Sequence, residues 1–398
     1  MSPLAPGNAV GIIGGGQLGR FLAWEARRLG YQPVVVDPDP AGPAAQVAHS
    51  VIAAPLDDPD AMRTLAGRVR VATYEFENIN ADAVAAAEAF IPVYPGSAVL
   101  RIAQHRIREK TTLARHGFPV PRFASVENVD QLEQALAAVG LPAVLKTATG
   151  GYDGKGQAVI HRVEDAMAAF HTLKGQADTL ILEEWLTLAA ELSVISVRTA
   201  DGTVVSYPAG ENRHANGILD VTLVPAPVDP RILREARALG EAVIEALQMV
   251  GLLTVEMFLT RDGRLVINEL APRPHNSGHY TLDAAATSQF EQLLRAVCQL
   301  PPGSAELHAP AAMANLLGHL WPPMGMPDFT KALAVPGVRL YLYGKAEARP
   351  GRKMGHLTAV GPTLETARDR VMLARRHLEQ LRSTHHEDPG QGGRRPLR

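Results

Sequence analysis

Residues 252–270 read LLTVEMFLTRDGRLVINEL. Two runs rich in Leu, Val and Ile flank Asp262-Gly263, and Asp-Gly between apolar runs is the strongest short-range hairpin signal. With Asp262 and Gly263 as the two turn residues, Glu256 stands directly across from Glu269, their Cβ atoms about 5 Å apart. Facing carboxylates repel unless one holds a proton or a cation lies between them. Both follow apolar runs, Leu-Leu-Thr-Val and Leu-Val-Ile-Asn, so both strands read as buried. Mg2+, a hard ion, takes one or two carboxylates together with substrate phosphates, and the pair reads as a candidate metal site. The other reading is a solvated strand face with each Glu paired to a nearby Arg. A regular strand turns Asn268 to the opposite face; it reaches a metal only if the strand twists or bulges there.

Working toward the N-terminus, residues 179–224 alternate β-branched and polar positions and read as antiparallel sheet. Before them lies TGGYDGKGQ (149–157), a glycine cluster between strands at 142–147 and 157–161. Its glycines alternate with Tyr152, Asp153 and Lys155, which suits a loop that wraps N–H groups around phosphate oxygens. It does not match G-x-x-x-x-G-K-[ST], so it is not a P-loop. Lys146 ends the preceding strand and is placed to meet phosphates. Residues 102–116 and 129–139 read as helices.

The first hundred residues have a β-α-β rhythm: strands at 9–13 and 32–37 around a helix at 17–29, then weaker strands at 50–53, 71–73 and 91–94. That pattern predicts a parallel sheet with helices on both faces. Gly14, Gly16 and Gly19 form G-x-G-x-x-G at the strand–helix turn, an anion-binding geometry. Taken alone, this motif is open between a dinucleotide site with Asp37 on the ribose, a phosphate site for another ligand, and a plain tight turn.

Toward the C-terminus, Arg273, His275, Asn276, Ser277 and His279 crowd directly after Glu269 in LAPRPHNSGHY (270–280). An Arg and a His beside a metal–phosphate site can hold a small anion. Asp229 and Pro230 start a helix running to about 249, and Ser288 with Glu291 forms a capping box for another. Strands follow in AAMANLLG, GVRLYLYG and GHLTAVG, and a helix at 365–381. GRKMGH brings Arg352 and Lys353 together as a candidate phosphomonoester clamp.

The 398 residues predict two to four domains. Lys plus Arg is 39 against 41 Asp plus Glu, which offers no polybasic surface for nucleic acid or membrane. One cysteine, Cys298, excludes a disulfide scaffold and a Cys-based zinc cluster. No apolar run approaches the roughly 20 residues of a membrane span, and the N-terminus lacks a signal-peptide pattern. The expectation is a soluble cytoplasmic protein. Only seven residues are Lys (110, 146, 155, 174, 331, 345, 353), a skew that arises from base composition or from keeping Lys where a compact ammonium is needed.

Together GGGQLGR, YEFENI, GGYDGKGQ, VEMF…NELAPRPHNSGHY and GRKMGH resemble the 5-(carboxyamino)imidazole ribonucleotide synthase family of the ATP-grasp superfamily, over about residues 8–380. The resemblance implies an α/β and α+β chain: an N-terminal parallel-sheet (Rossmann-like) domain at 1–104, an ATP-grasp domain at 105–305 and a small β-rich C-terminal domain at 306–381; the polar, Gly/Pro-rich tail at 382–398 lies outside the resemblance and reads as disordered. It implies ATP-dependent carboxylation of 5-aminoimidazole ribonucleotide with bicarbonate, through carboxyphosphate, in purine biosynthesis, with ATP and Mg2+ bound and a homodimer as the assembly.

Carried over by motif, Arg106 and Lys146 meet ATP phosphates under the loop Gly151, Tyr152, Asp153, Gly154, Lys155, Gly156 and Gln157. Glu183, Glu184, Trp185 and Leu186 hold adenine, Glu191 the ribose, and His214 lies at the nucleotide. Glu256 and Glu269 hold Mg2+ with Asn268 beside them. Gly15, Gly16 and Gln17 with Lys353 and Arg352 take the ribonucleotide phosphate. Glu75 or Glu77, with Tyr152 and Asp153, meets its imidazole and ribose. Arg273 and His275, with Tyr152 and Asp153, are the catalytic candidates, the first two for bicarbonate or carboxyphosphate. The resemblance removes the cofactor role of Asp37. Rival readings are another ATP-grasp ligase, such as formate-dependent glycinamide ribonucleotide transformylase, and a dinucleotide-dependent oxidoreductase. The second leaves the Glu256/Glu269 pair without purpose.

Overall fold

A computed structural model describes residues 2–150 and 155–386, with side chains to 380. Gly151, Tyr152, Asp153 and Gly154, and positions 387–398 of the tail, lie outside the described residues. The N-terminal strands β1 (Ala9–Ile13), β2 (Gln32–Asp37), β3 (Ser50–Ala53) and β4 (Val71–Tyr74) form a parallel sheet in the order β3-β2-β1-β4. Runs such as Val34, Val35 and Val36 are buried on both faces, as a sheet covered by helices on each side requires. Helix Gln17–Arg28 follows β1 and helix Pro59–Ala66 follows β3. Expected strand 91–94 is reduced to one bridge, Val93 to Ala72; Pro92 and Pro95 beside it donate no ladder hydrogen bonds.

The helix expected at 102–116 is two, Ser97–Ala103 and Arg106–Arg115. The break lies at Gln104-His105, where Arg106 N donates to Ala148 O at 2.9 Å instead of to a carbonyl one turn back. His105 takes an extended conformation and caps the second helix through its side chain.

β5 (Phe123–Val126), β6 (Ala143–Thr147), β7 (Gln157–Ile160) and β8 (Leu180–Glu184) make a four-stranded antiparallel sheet in the order β5-β8-β6-β7. The large sheet contains β9 (Leu188–Arg198), β10 (Val204–Ser206), β11 (Gly210–Ala215), β12 (Ile218–Val224), β13 (Gly251–Thr260), β14 (Leu265–Ala271), β15 (Ala311–Leu317), β16 (Val338–Leu342) and β17 (Lys353–Val360). Its order is β14-β13-β9-β11-β12-β15-β17-β16, with β10 beside β9. The stretch 179–224 therefore divides: β8 joins the small sheet, β9 to β12 the large one, and residues 185–187 cross between them. The C-terminal strands continue the large sheet through the β12–β15 pairing. Helix Leu364–His386 packs on β15 and β17 and runs past residue 381, so positions 382–386 of the expected tail are helical.

Two departures from a regular hairpin cancel in β13 and β14. The turn has three residues, 261–263, closed by Thr260 N to Arg264 O at 2.9 Å, and Gly263 takes φ +85°, the left-handed position such a loop needs. Leu259 therefore pairs Leu265 and Met257 pairs Ile267. A bulge follows, and Glu256 pairs with Glu269, restoring the expected opposition and leaving Asn268 as the extra residue.

Candidate active site

A cleft of about 720 Å3 runs between the two sheets. Val144, Lys146, Gln157 and Glu183 line it from the small sheet. Glu191, His214, Glu256, Phe258, Asn268 and Glu269 line it from the large one. The bulge admits Asn268, whose side chain would otherwise share the face opposite Glu269.

The bulge is held from helix Arg106–Arg115. Lys110 Nζ donates to Asn268 O at 2.7 Å and Leu270 N donates to Glu109 Oε2 at 2.9 Å, while Ile267 N donates to Pro119 O at 2.8 Å. β14 is an edge strand, so these backbone groups find side-chain or loop partners instead of a neighbouring strand. Burial pushes the Glu109 carboxyl up to about 8; Lys110 opposes this and the Glu269 charge adds to it.

Lys110 and Lys146 converge on the buried Glu183, at 3.4 and 2.8 Å. Burial raises Glu183, but the two ammonium groups outweigh it and hold it below the ordinary carboxylate value. Arg106 donates to the carbonyls of Thr147 and Gly150 at the mouth of the glycine loop, at 3.0 and 2.7 Å. Three cationic side chains thus gather at one end of the cleft. The strand linker lies beside them: Glu184 is tied to Arg122 at 2.9 Å, and Trp185 and Leu186 face the cleft. Glu191 meets His214 at 3.1 Å; burial pulls the imidazole down, but the Glu191 hydrogen bond and charge hold it above its ordinary value.

At the centre, Glu269 opens onto the cleft, yet desolvation by the surrounding protein and the charge of Glu256 push it up to about 7. Glu256 is also raised by burial, but His275, with Nε2 3.0 Å from Oε1, outweighs this and holds it low. Opposed shifts on two facing carboxylates mark a place that favours a cation. Two oxygen donors with an amide beside them suit Mg2+, which completes its shell with phosphates and water. Among the described residues no three His, Cys, Asp or Glu side chains form a metal cluster.

At the other end, Arg273 Nη2 meets Glu77 Oε1 at 2.7 Å. Glu77, which burial raises, is brought below its ordinary value by this guanidinium. His275 and Lys353 stand alongside. Of the two acids in YEFENI, only Glu77 lines the cleft.

Glu75 and the N-terminal glycines differ from expectation. Gly15 N donates to Asp37 at 2.6 Å, Gly19 N donates to Glu75 at 2.7 Å, and Gly16 N also donates to Glu75. The amides of Gly15 and Gly16, expected to meet a phosphate, are occupied by the protein's own carboxylates. A Cβ at Gly16 would lie 2.5 Å from Glu75 Oε1, which explains the glycine. Gly15, Gly16, Gln17, Glu75 and Arg352 are not among the cleft's lining residues.

Lys345 is a residue the motifs missed. Its Nζ donates to Lys353 O at 2.7 Å, and burial first, then the charge of Arg352, lowers it to about 8, while Glu75 opposes the shift. With Arg352 and Lys353 it makes a cationic cluster facing Glu75. Its signal was the scarcity of lysine; Lys110, also missed, carried the same one.

Two sheets closing on a cleft, with Lys146 on one and a carboxylate pair on the other, define an ATP-grasp protein. Three family profiles match: the ribonucleotide synthetase preATP-grasp domain at residues 8–104, the ATP-grasp domain at 111–290, and the phosphoribosylaminoimidazole carboxylase C-terminal domain at 311–370. The N5-carboxyaminoimidazole ribonucleotide synthase of Bacillus subtilis is 46% identical over 89% of this chain and 91% of its own. A solved N5-carboxyaminoimidazole ribonucleotide synthetase in complex with ADP superposes with TM-score 0.87 at 41% identity, covering 96% of this chain and 100% of that one. The Aspergillus clavatus synthase with ADP and 5-aminoimidazole ribonucleotide gives 0.84 at 32% identity, over 94% and 99%. The chain belongs to the N5-carboxyaminoimidazole ribonucleotide synthase family. No helix among the described residues is long and apolar enough to cross a membrane.

Proposed function

We propose that this protein carboxylates the amino group of 5-aminoimidazole ribonucleotide with bicarbonate, converting ATP to ADP and phosphate. The observation that carries this reading is the Glu256–Glu269 pair, which feels Arg106 and Lys146 on one side and Arg273 and His275 on the other. ATP lies with adenine against residues 183–186, its ribose at Glu191 and His214, and its phosphates at Arg106 and Lys146. Glu256 and Glu269, with Asn268 beside them, would hold Mg2+, which when bound neutralises charge on the nucleotide phosphates.

Bicarbonate oxygen attacks the γ-phosphorus and ADP leaves, giving carboxyphosphate. Its C–O bond to phosphate then breaks, releasing CO2 and phosphate; the amine of the ribonucleotide attacks the CO2 carbon, a C=O electron pair moves onto oxygen as carboxylate, and the N–H proton passes to the released phosphate. Arg273 and His275 are placed to hold the anionic carboxyphosphate. Glu77 and Glu256 fix the two side chains that do so. Lys345, Lys353 and Arg352 take the ribonucleotide phosphate, with Gln17 beside them; Gly15 and Gly16 shape that end by admitting Asp37 and Glu75. Lys155 and Gln157 close the cleft beside Lys146 and exclude water, which carboxyphosphate requires.

ADP release with bicarbonate, with and without 5-aminoimidazole ribonucleotide, tests this against formate and glycinamide ribonucleotide. Stimulation by the first pair alone is expected; stimulation by the second pair would transfer the chain to the transformylase reading.

A further inference from the structure

The loop after β14 is clamped by a side chain from outside it. Gln289, the first residue of helix Gln289–Val297, is fully buried. Its carboxamide spans the backbone of His275: His275 N donates to Oε1 at 2.9 Å and Nε2 donates to His275 O at 2.8 Å. Nε2 also lies 3.3 Å from Nδ1 of His279. Gln289 is held in turn by its own amide, which donates to Thr281 Oγ1 at 3.0 Å. Gly278 is required by this arrangement: a Cβ there would lie 2.5 Å from Gln289 Oε1 and 2.3 Å from Ile195 Cδ1. The imidazole is fixed separately, with Nδ1 2.8 Å from Ser277 Oγ, which lies 2.9 Å from Ser193 Oγ. Nε2 is then left against Glu256.

We propose that Gln289 is a positioning residue for carboxyl transfer, holding the His275 backbone so that the ring sits between Glu256 and the carboxyphosphate seat. This rests on the reading of His275 given above. Two antiparallel amide hydrogen bonds fix both position and tilt of a backbone unit, and misplacing a catalytic group by about 1 Å costs up to about 100-fold in rate. Adenine, ribose and the ATP phosphates are held by other elements, so a loosened clamp disturbs the transfer far more than nucleotide binding, which it reaches only through Glu256.

The test uses the full chain with MgATP, bicarbonate and 5-aminoimidazole ribonucleotide, following ADP and carboxylated product together. Gln289→Met keeps length and removes both hydrogen bonds; Gln289→Glu keeps the acceptor for His275 N and loses the donor to His275 O. Expected for Gln289→Met is a product kcat lower by about tenfold or more, less product per ADP, and a KM for ATP within about twofold of wild type. Gln289→Glu falls between. An unchanged product-to-ADP ratio in folded Gln289→Met overturns the proposal, as does a loss that only follows the folded fraction. If Gln289→Met does not fold, Gly278→Ala, which crowds the same carboxamide, carries the same readout. His275→Asn separates the two claims. If it uncouples and Gln289→Met does not, the clamp alone is wrong. If neither uncouples, the reading of His275 falls and the clamp with it.

Discussion

Replacing Glu109 with glutamine should make the protein more stable, and increasingly so as pH rises. Glu109 is 2% exposed and its carboxyl is pushed from 4.5 to about 8, chiefly by burial. Below pH 4.5 the group is neutral folded and unfolded, and its contribution is complete. As pH rises the unfolded chain ionises while the folded one stays protonated, so stability falls by about 1.36 kcal/mol per pH unit until about pH 8. That amounts to about 3 kcal/mol at pH 7 and about 4 kcal/mol between pH 5 and pH 8. Glutamine does not titrate, and its amide oxygen can accept from Leu270 N as Oε2 does at 2.9 Å. The urea midpoint of Glu109→Gln against wild type, measured without nucleotide from pH 5 to 8, should diverge upward. A difference that stays flat across that range refutes the argument. Glu109→Ala should lose stability at acid pH, because Leu270 N is left without its acceptor at a cost of about 1–3 kcal/mol, and the loss should shrink as pH rises.

Glu269→Gln should cut ADP release by roughly 100-fold or more with substrates saturating; near-normal turnover would remove the carboxylate pair from the metal site. Because Glu269 is held near 7 and a metal takes the carboxylate, MgATP binding at pH 6 should release a proton that is no longer released at pH 8.5. Calorimetry in buffers of different ionisation enthalpy reads this, and equal values at both pH settings would contradict it. Lys345→Met should raise the KM for the ribonucleotide about tenfold and that for ATP less than twofold; equal effects on both would place Lys345 outside the phosphate cluster. Asp153→Ala should lower product formed per ADP, and an unchanged ratio would separate Asp153 from the carboxylation step.

Strands β1, β2 and β3 were legible to the residue, because apolar runs bounded by turn residues carry their own signal. The facing of Glu256 and Glu269 was legible too, but by a route the molecule does not take. A three-residue turn and a bulge each shift the register by one, and the local pattern shows neither. What the sequence hid depends on contacts between distant residues. The reach of Glu75 across to Gly16 and Gly19 turns an apparent phosphate cradle into an occupied one. Arg106 N bonding to Ala148 O cuts one expected helix into two, and Lys110 and Glu109 support a bulge whose existence nothing near residue 268 announces. Residue type was legible where it was scarce: Lys146 and Lys353 stood in motifs, and Lys110 and Lys345 differed only in lacking one.

Hydrogen-bonded continuity from β14 to β17 has a mechanical consequence. Glu256, Glu269 and Lys353 are carried by a single ladder, and their separations are as stiff as the sheet itself. Lys146 and Glu183 ride on a separate four-stranded sheet, joined to the rest through residues 116–122 and 185–187. The relative placement of Glu256, Glu269 and Lys353 therefore depends on one continuous ladder, and that of Lys146 and Glu183 on the other sheet.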